Sequence, residues 1–564
     1  MVTDWTADEA HDRRIPPWSA RVRAAWRMAL GCLVVGGALG CSRPEPTAKP
    51  PPEKAPAATA QEPGERPETA REPRLAESEA SHLRRPDAPV PPVDHDIDFF
   101  RLGDALAKQE RYADALEAWK NGYLRSLPKL RGLPLRHPVE ARFMRRPQLE
   151  AKVLEELAKE KPKAQADAES LTYTLLGFVE PGFDLLQTFT QMLTEEIAGF
   201  YDPDTKELFL ISDHDAPRPA KGLLDLFRPK FDPDLQKGIL AHELAHALDD
   251  QHFDLLSLQR SVKDDDDMAL ALQGLVEGEA MITMLPAIMG PLLGPEVLDI
   301  DLEAFDTILR LAMSFAAVFA GGDAFGKAPL ILRESLLFPY LAGMKFCLTL
   351  YQDGHGFARV HAAFRRLPTS TEQILHPVKW FQLDPEPPLA VAWAKDGPLD
   401  APAWELVRDN TLGELQLEIW LRPHVGEDVS RVAAAGWGGD RYRVVRQQGD
   451  PTRQLAAVHT VWDTENDARE FFDAASKAKL ALKAGRWIEV IRAQRAVFIL
   501  ASTVPLPSFD VAALVTWLRE ATVAPKQLTR VQATPSKPFG TPLPGSELPK
   551  VERPAADPRP RPLP

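Results

Sequence analysis

The sequence predicts an α+β protein, mostly helical, with a large helical body, a small C-terminal α+β domain and unstructured ends. Three observations lead there. Between residues 96 and 380 apolar residues recur at helical spacing, with only short strand-like interruptions. From 400 to 525 the pattern changes to pairs of alternating strands, each pair followed by a helix, the ββα-ββα order of a small α+β domain. The 53 prolines gather towards the two ends, in 42–95 and 526–564, where aromatic residues are almost absent. Such segments cannot bury enough apolar surface to fold and read as disordered linker and tail.

A chain of 564 residues is too long for one small core, so two or three domains are expected. The formal net charge is −14 and no long basic stripe is present, which argues against nucleic acid as a partner. Of three cysteines, Cys32 and Cys41 lie in the first 41 residues. The body then has one thiol, Cys347, and a disulfide framework is excluded.

Arg21, Arg23 and Arg27 precede a short apolar run, the charged and apolar regions of an export signal. The run is too short for a comfortable membrane span. Its end, Ala38-Leu39-Gly40-Cys41, resembles a bacterial lipobox, with Ala where Leu is commonest. The resemblance implies a lipoprotein signal peptide over 1–41 and lipidation of Cys41. It also implies an exported chain anchored to the membrane of the cell envelope. Residues 42–95 would then be a flexible spacer.

Residues 98–127 are helical in pattern. Leu102-Gly103, Ala105-Leu106, Tyr112, Ala115-Leu116 and Trp119 resemble one tetratricopeptide (TPR) hairpin. One repeat cannot bury its own apolar face, so 96–134 is expected to dock on the next domain. That domain, 135–395, opens with a strand over 138–143, a helix starting at Pro147 and a helix over 188–197. The turn Asp202-Pro203-Asp204 then leads into a strand at Glu207–Ile211.

The stretch 235–251 follows, and it contains His242-Glu243-Leu244-Ala245-His246. Residues four apart share a helix face, so His242 and His246 can offer two imidazoles to one metal ion. Glu243, rotated by about 100°, can flank the same ion. Ile239, Leu240, Leu244, Ala245 and Leu248 supply an apolar stripe, and no Gly or Pro interrupts 239–251. The motif resembles the HExxH of the zinc metallopeptidases called zincins. The resemblance implies a zincin-like domain holding Zn2+ on His242 and His246. Glu243 would be the general base that activates the attacking water, and a peptide or protein would be the substrate. It also implies that the strand before the motif helix offers its edge to an extended peptide.

A catalytic zinc takes three protein ligands and leaves one position open. Leu275-Val276-Glu277-Gly278-Glu279-Ala280 resembles the Glu-Gly-x-Ala of the gluzincins, which assigns the third ligand to Glu277, turns Glu279 to another face and lets a backbone approach at Gly278. The spacing to His252 resembles that of the metzincins, with Asp249 where they carry Gly. Both ligands stand as alternatives. Gluzincins often place a carboxylate four residues after the ligand; Met281 occupies that position, and Asp250 is the substitute candidate. The acidic run 264–267 suits a helix N-terminus, or a calcium site given further ligands. For the group that stabilises the developing oxyanion, His376, Tyr340 and Tyr201 are candidates in that order. His376 leads because 368–377 is dense in polar residues.

Residues 304–321 are apolar but include Asp306 and Arg310, and read as a buried helix. In the C-terminal domain Asp463 is the expected cap of a helix over 464–480, and Gly436-Trp437-Gly438-Gly439-Asp440 a tight turn with an anchored Trp. The reading that unites these features is a lipid-anchored, zinc-dependent peptidase, most simply an endopeptidase. The alternative is a non-catalytic envelope lipoprotein whose zinc site is structural and whose outer domains bind protein partners.

Overall fold

The computed structural model describes residues 96–160, 163–212, 232–293, 295–302, 324–381, 387–482 and 486–526. Cys41, the linker 42–95, the apolar stretch 304–321 and the tail beyond Lys526 lie outside the described residues. The protein is α+β and mostly helical, with three small sheets among the described residues.

Helices α1 (Asp96–Lys108) and α2 (Tyr112–Arg131) form the N-terminal hairpin. Gly103 is required at their crossing, because a β-carbon there would stand 2.3 Å from the indole of the fully buried Trp119. Gly132, at φ 64°, ends α2 in the left-handed conformation and returns its N–H to the Pro128 carbonyl. The hairpin has no core of its own. Leu106, Leu116, Trp119 and Leu127 pack in one cluster with Leu208 and Leu210 of the neighbouring sheet and with Ile239, Leu240 and Leu244 of the motif helix.

That sheet follows in the chain. Strand β1 (Glu140–Met144) leads into α3 (Arg146–Glu160), α4 (Lys163–Leu176) and α5 (Leu185–Glu196), then β2 (Gly199–Asp202) and β3 (Glu207–Ile211). The strand order is β1-β3-β2, β1 parallel and β2 antiparallel to β3. This corrects the expectation that Glu207–Ile211 offers an edge: β3 is the central strand, hydrogen-bonded on both sides. The edge nearer the motif helix belongs to β2, whose Gly199 lies against Ile239.

Helix α6 (Pro233–Phe253) carries the motif. Asp232 caps it by accepting from the N–H groups of Asp234 and Leu235, and Pro233 occupies the first turn. At the other end Asp254, at φ 54°, closes α6 and caps α7 (Leu255–Val262). Then come α8 (Asp266–Leu293), α9 (Leu330–Gln352), α10 (Phe357–Arg365), α11 (Thr371–Leu375) and α12 (Pro377–Phe381). Helices α8 to α12 form the largest core, in which Leu275, Ile282, Phe346, Leu348, Val360 and Ile374 are almost fully buried.

The C-terminal domain comprises β4 (Leu389–Ala392), β5 (Trp404–Asn410), α13 (Gly413–Val425), α14 (Glu427–Ala434), β6 (Trp437–Gln447), β7 (Asp450–Trp462), α15 (Glu465–Ala481), β8 (Trp487–Ala493), β9 (Ala496–Ser502), α16 (Val511–Arg519) and β10 (Thr522–Pro525). Five strands make one antiparallel sheet in the order β5-β6-β7-β9-β8, with α13 to α15 on one face and α16 on the other. The two ββα units are therefore halves of one sheet, and α13 and α14 are additions that the strand pattern did not announce. Two local expectations change. Thr464, not Asp463, caps α15, in a reciprocal box with Asp467; Asp463 pairs with Lys379 at 2.7 Å. The expected turn is confined to Gly436, at φ 83°; the buried Trp437, anchored to Asp440, already begins β6, where a β-carbon on Gly439 would stand 2.1 Å from the Leu389 carbonyl.

The acidic run turns out to be the joint between the domains. The Asp266 N–H donates to Asn410 Oδ1 at 2.9 Å, and Arg408 pairs with the Asp266 carboxylate. Lys526 reaches Asp265 at 2.8 Å, and the Thr371 N–H and hydroxyl both donate to Asp267. These carboxylates are engaged by protein groups, which removes the basis for a calcium site. Further ties run from Arg486 to the carbonyls of Thr174 and Val179, and from Arg422 to Glu334 on α9. The C-terminal domain is thus fastened to the first turn of α8, the helix that carries Glu277.

Candidate metal centre

His242, His246 and Glu277 come together from α6 and α8. The imidazole Nε2 atoms are 3.1 Å apart, and Glu277 Oε2 lies 3.1 Å from His242 Nε2 and 3.4 Å from His246 Nε2. Two nitrogens and an oxygen bound to one zinc at its usual bond lengths, in tetrahedral geometry, stand about 3.3–3.5 Å apart. The three donors therefore already form one face of a tetrahedron of nearly the right size. Among the described residues this is the one group of three such side chains whose donor atoms converge. Both imidazoles are mostly buried at 11% side-chain exposure, and Glu277 is more open at 24%.

The charges agree with that reading. Burial opposes ionisation of Glu277, but the neighbouring His246 and His242, by charge and hydrogen bond, outweigh it and hold its carboxyl well below the usual range. Burial would lower the His246 pKa; attraction to Glu277 raises it instead.

Glu243 stands beside the ligands on the buried side of α6. Burial pushes its carboxyl up to about 7, against the attraction of His242 and with the repulsion of Glu277. Its one backbone donor is the N–H of Tyr201 on β2. The N–H and C=O of a strand residue point to the same side, so β2 turns its outer edge at Tyr201 towards the motif.

Tyr340 completes the group. Helix α9 crosses α8 at Gly343, opposite Gly274 and Gly278, at backbone contact distance. One turn before that crossing the Tyr340 ring lies over His242, centroids 6.3 Å apart, with its phenol on the side of Glu277. The charge of Glu277, then burial, keep the phenol protonated.

The other candidates fall elsewhere. His376 Nε2 meets Glu414 Oε1 at 2.8 Å, at the end of α11, so the polar density of 368–377 serves the domain joint and the order of candidates is corrected in favour of Tyr340. The ring of His252 is bonded to the Pro134 carbonyl at 2.8 Å, outside the cluster, which removes it as the third ligand. The Asp250 carboxylate takes Tyr201 Oη at 2.8 Å and Lys206 Nζ at 2.7 Å; it braces β2 against α6 and does not orient an imidazole. Glu279 does face away from the cluster, towards a fully buried arginine, Arg131, at 2.6 Å. Nothing in its local sequence marks Arg131, a single basic residue at a helix end, as a residue of the interior.

Residues 404–523 match a family described as a domain of unknown function (DUF8575). That match covers the C-terminal sheet and its helices and stops short of the metal cluster. No curated protein and no solved structure matches the chain.

Proposed function

We propose that the protein is a zinc-dependent peptidase of zincin-like, gluzincin-type architecture, anchored through Cys41 to a bacterial envelope membrane, with a TPR-like hairpin built into its catalytic body. One observation carries the reading: His242, His246 and Glu277 present three donors 3.1–3.4 Å apart, with the buried carboxylate of Glu243 beside them. Zinc, when bound, supplies a Lewis acid that polarises the peptide carbonyl and acidifies water.

The chain's own residues then have separate tasks. Glu243, poised near neutrality, takes the proton of the attacking water and passes it to the departing amine. The Tyr340 hydroxyl donates to the oxygen on which negative charge develops. The edge of β2 at Tyr201 holds an extended peptide by its backbone, which favours a peptide or protein substrate and internal cleavage. The absence of His252 from the cluster leaves a coordination position open, which weighs against a closed structural site.

The test is metal analysis and cleavage of a broad peptide library by the parent, Glu243→Gln and Glu277→Ala. The reading expects one zinc in the parent and in Glu243→Gln, cleavage only by the parent, and loss of zinc in Glu277→Ala. Zinc without cleavage in the parent would favour the non-catalytic alternative, and no zinc at all would end both.

A further inference from the structure

Arg131 is the last residue of α2, and its guanidinium lies wholly inside the protein, at 2% residue exposure. Nη2 donates to Asp249 Oδ1 at 2.6 Å, and Nη1 reaches Glu279 Oε1 at 2.6 Å and Thr283 Oγ1 at 3.4 Å. His361 Nε2 stands 3.5 Å from Nη2; burial and then the charge of Arg131 keep that imidazole neutral, so it accepts. A planar guanidinium fork is the donor suited to bridging two acidic side chains, and it does so here at 2.6 Å on each side.

The positions of those acids matter. Asp249 lies one turn beyond His246 on α6, and Glu279 lies two residues beyond Glu277 on α8. The fork therefore ties together the two helices that carry the ligands, next to the ligands themselves. The rest of the hairpin follows the same helix. Lys237 bonds Asp104 at 3.0 Å at one end of α6. At the other end Gln251 accepts from the N–H groups of Arg136 and His137 and donates to the His137 carbonyl.

We propose that Arg131 is a positioning residue of the metal centre: by bridging Asp249 and Glu279 it sets the separation of His242 and His246 from Glu277. The N-terminal hairpin is then a component of the site and not an appended binding module. The inference rests on the zinc reading above.

The experiment uses the full chain and measures zinc affinity by chelator competition, the visible spectrum of the cobalt(II)-loaded protein, and unfolding of the metal-free protein. Arg131→Met alone strands two acids and is expected to fold poorly. The decisive variant is therefore Arg131→Met/Asp249→Asn/Glu279→Gln, which removes the whole charge cluster. It is expected to fold, to bind zinc about 10- to 100-fold more weakly, as for other residues that orient metal ligands, and to shift the cobalt spectrum. Arg131→Lys, which keeps the charge but not the fork, should lie between, and it decides the matter in place of the triple variant if that fails to fold. Zinc affinity within twofold of the parent and an unchanged cobalt spectrum in the deciding variant would overturn the proposal, whatever the change in stability. A parent that binds no zinc would instead overturn the reading beneath it.

Discussion

The carbonyl carbon and oxygen of Gly343 lie 2.1 Å from the place a β-carbon on Gly278 would occupy, and the Gly274 carbonyl oxygen lies 2.0 Å from the same place on Gly343. Helices α8 and α9 thus meet backbone to backbone, flanking Glu277 on one helix and one turn from Tyr340 on the other. No side chain larger than hydrogen leaves that geometry intact.

Gly278→Ala and Gly343→Ala should each force the helices apart. A cost of about 3 kcal/mol or more is expected, at or beyond the upper range for overpacking, because the obstacle is backbone and cannot change rotamer. Gly290→Ala on α8 is the control: nothing lies within 4 Å of its β-carbon position, and helix propensity predicts a gain of about 0.5–1 kcal/mol. Urea unfolding of the three metal-free variants would separate them, and equal costs would show that the crossing is not tight.

Tyr340→Phe keeps the ring over His242 and removes only the hydroxyl. If that hydroxyl stabilises the transition state, kcat falls by about 10²–10³ while zinc content and KM stay near the parent's. Steady-state kinetics on any cleaved peptide decides it. A change confined to KM, or loss of zinc, would reassign Tyr340 to substrate or metal binding.

Gln251→Ala should destabilise by about 2–3 kcal/mol. Its amide oxygen accepts from Arg136 N at 2.8 Å and His137 N at 3.0 Å, and its amide nitrogen donates to the His137 carbonyl, so truncation leaves partly buried backbone groups unpaired. A urea-midpoint shift corresponding to less than about 0.5 kcal/mol would mean that water replaces the amide at no cost.

Asp267 gives a pH dependence with a definite sign. Burial, opposed by Lys526 and aided by Asp265, pushes its carboxyl up to about 7. The unfolded chain releases this proton near pH 4. Its contribution to stability is therefore complete below about pH 4 and is lost as pH rises through 7, at most about 4 kcal/mol over three pH units. Asp267→Asn stays neutral and still offers Thr371 an acceptor. Urea unfolding between pH 5 and 8 should fall more steeply for the parent than for the variant. Parallel curves would place the Asp267 pKa at its ordinary value.

Much of the site was legible in the chain. The His242–His246 pair rests on spacing along one helix, and the choice of Glu277 over Glu279 on the resemblance of 275–280 to a gluzincin motif; the structure brings His242, His246 and Glu277 together and turns Glu279 towards Arg131. The close backbone approach at Gly278 was legible too, though not its partner. Misreadings came where a polar residue had two possible partners at long range. His376 in its polar segment suggested chemistry, but Glu414, 38 residues away, takes its ring. The acidic run suggested a cation, but Asn410, Arg408 and Lys526 of the other domain complete it.

By itself the sequence determined the uninterrupted motif helix and the presence of two imidazoles and a carboxylate on it. These depend on the backbone hydrogen-bond ladder, which fixes where residues four apart must lie. Only the tertiary structure decided that β3 is central, that the Tyr340 ring lies by His242 while His376 pairs with Glu414, and that Arg131 joins the helices carrying His246 and Glu277. The pairing of Glu140 with Glu207, the approach of Tyr340 to His242 and the bridge from Arg131 to Glu279 link residues 67, 98 and 148 positions apart. They follow from which helix faces can approach closely and which buried charges must find partners, conditions that close packing imposes on the whole interior at once.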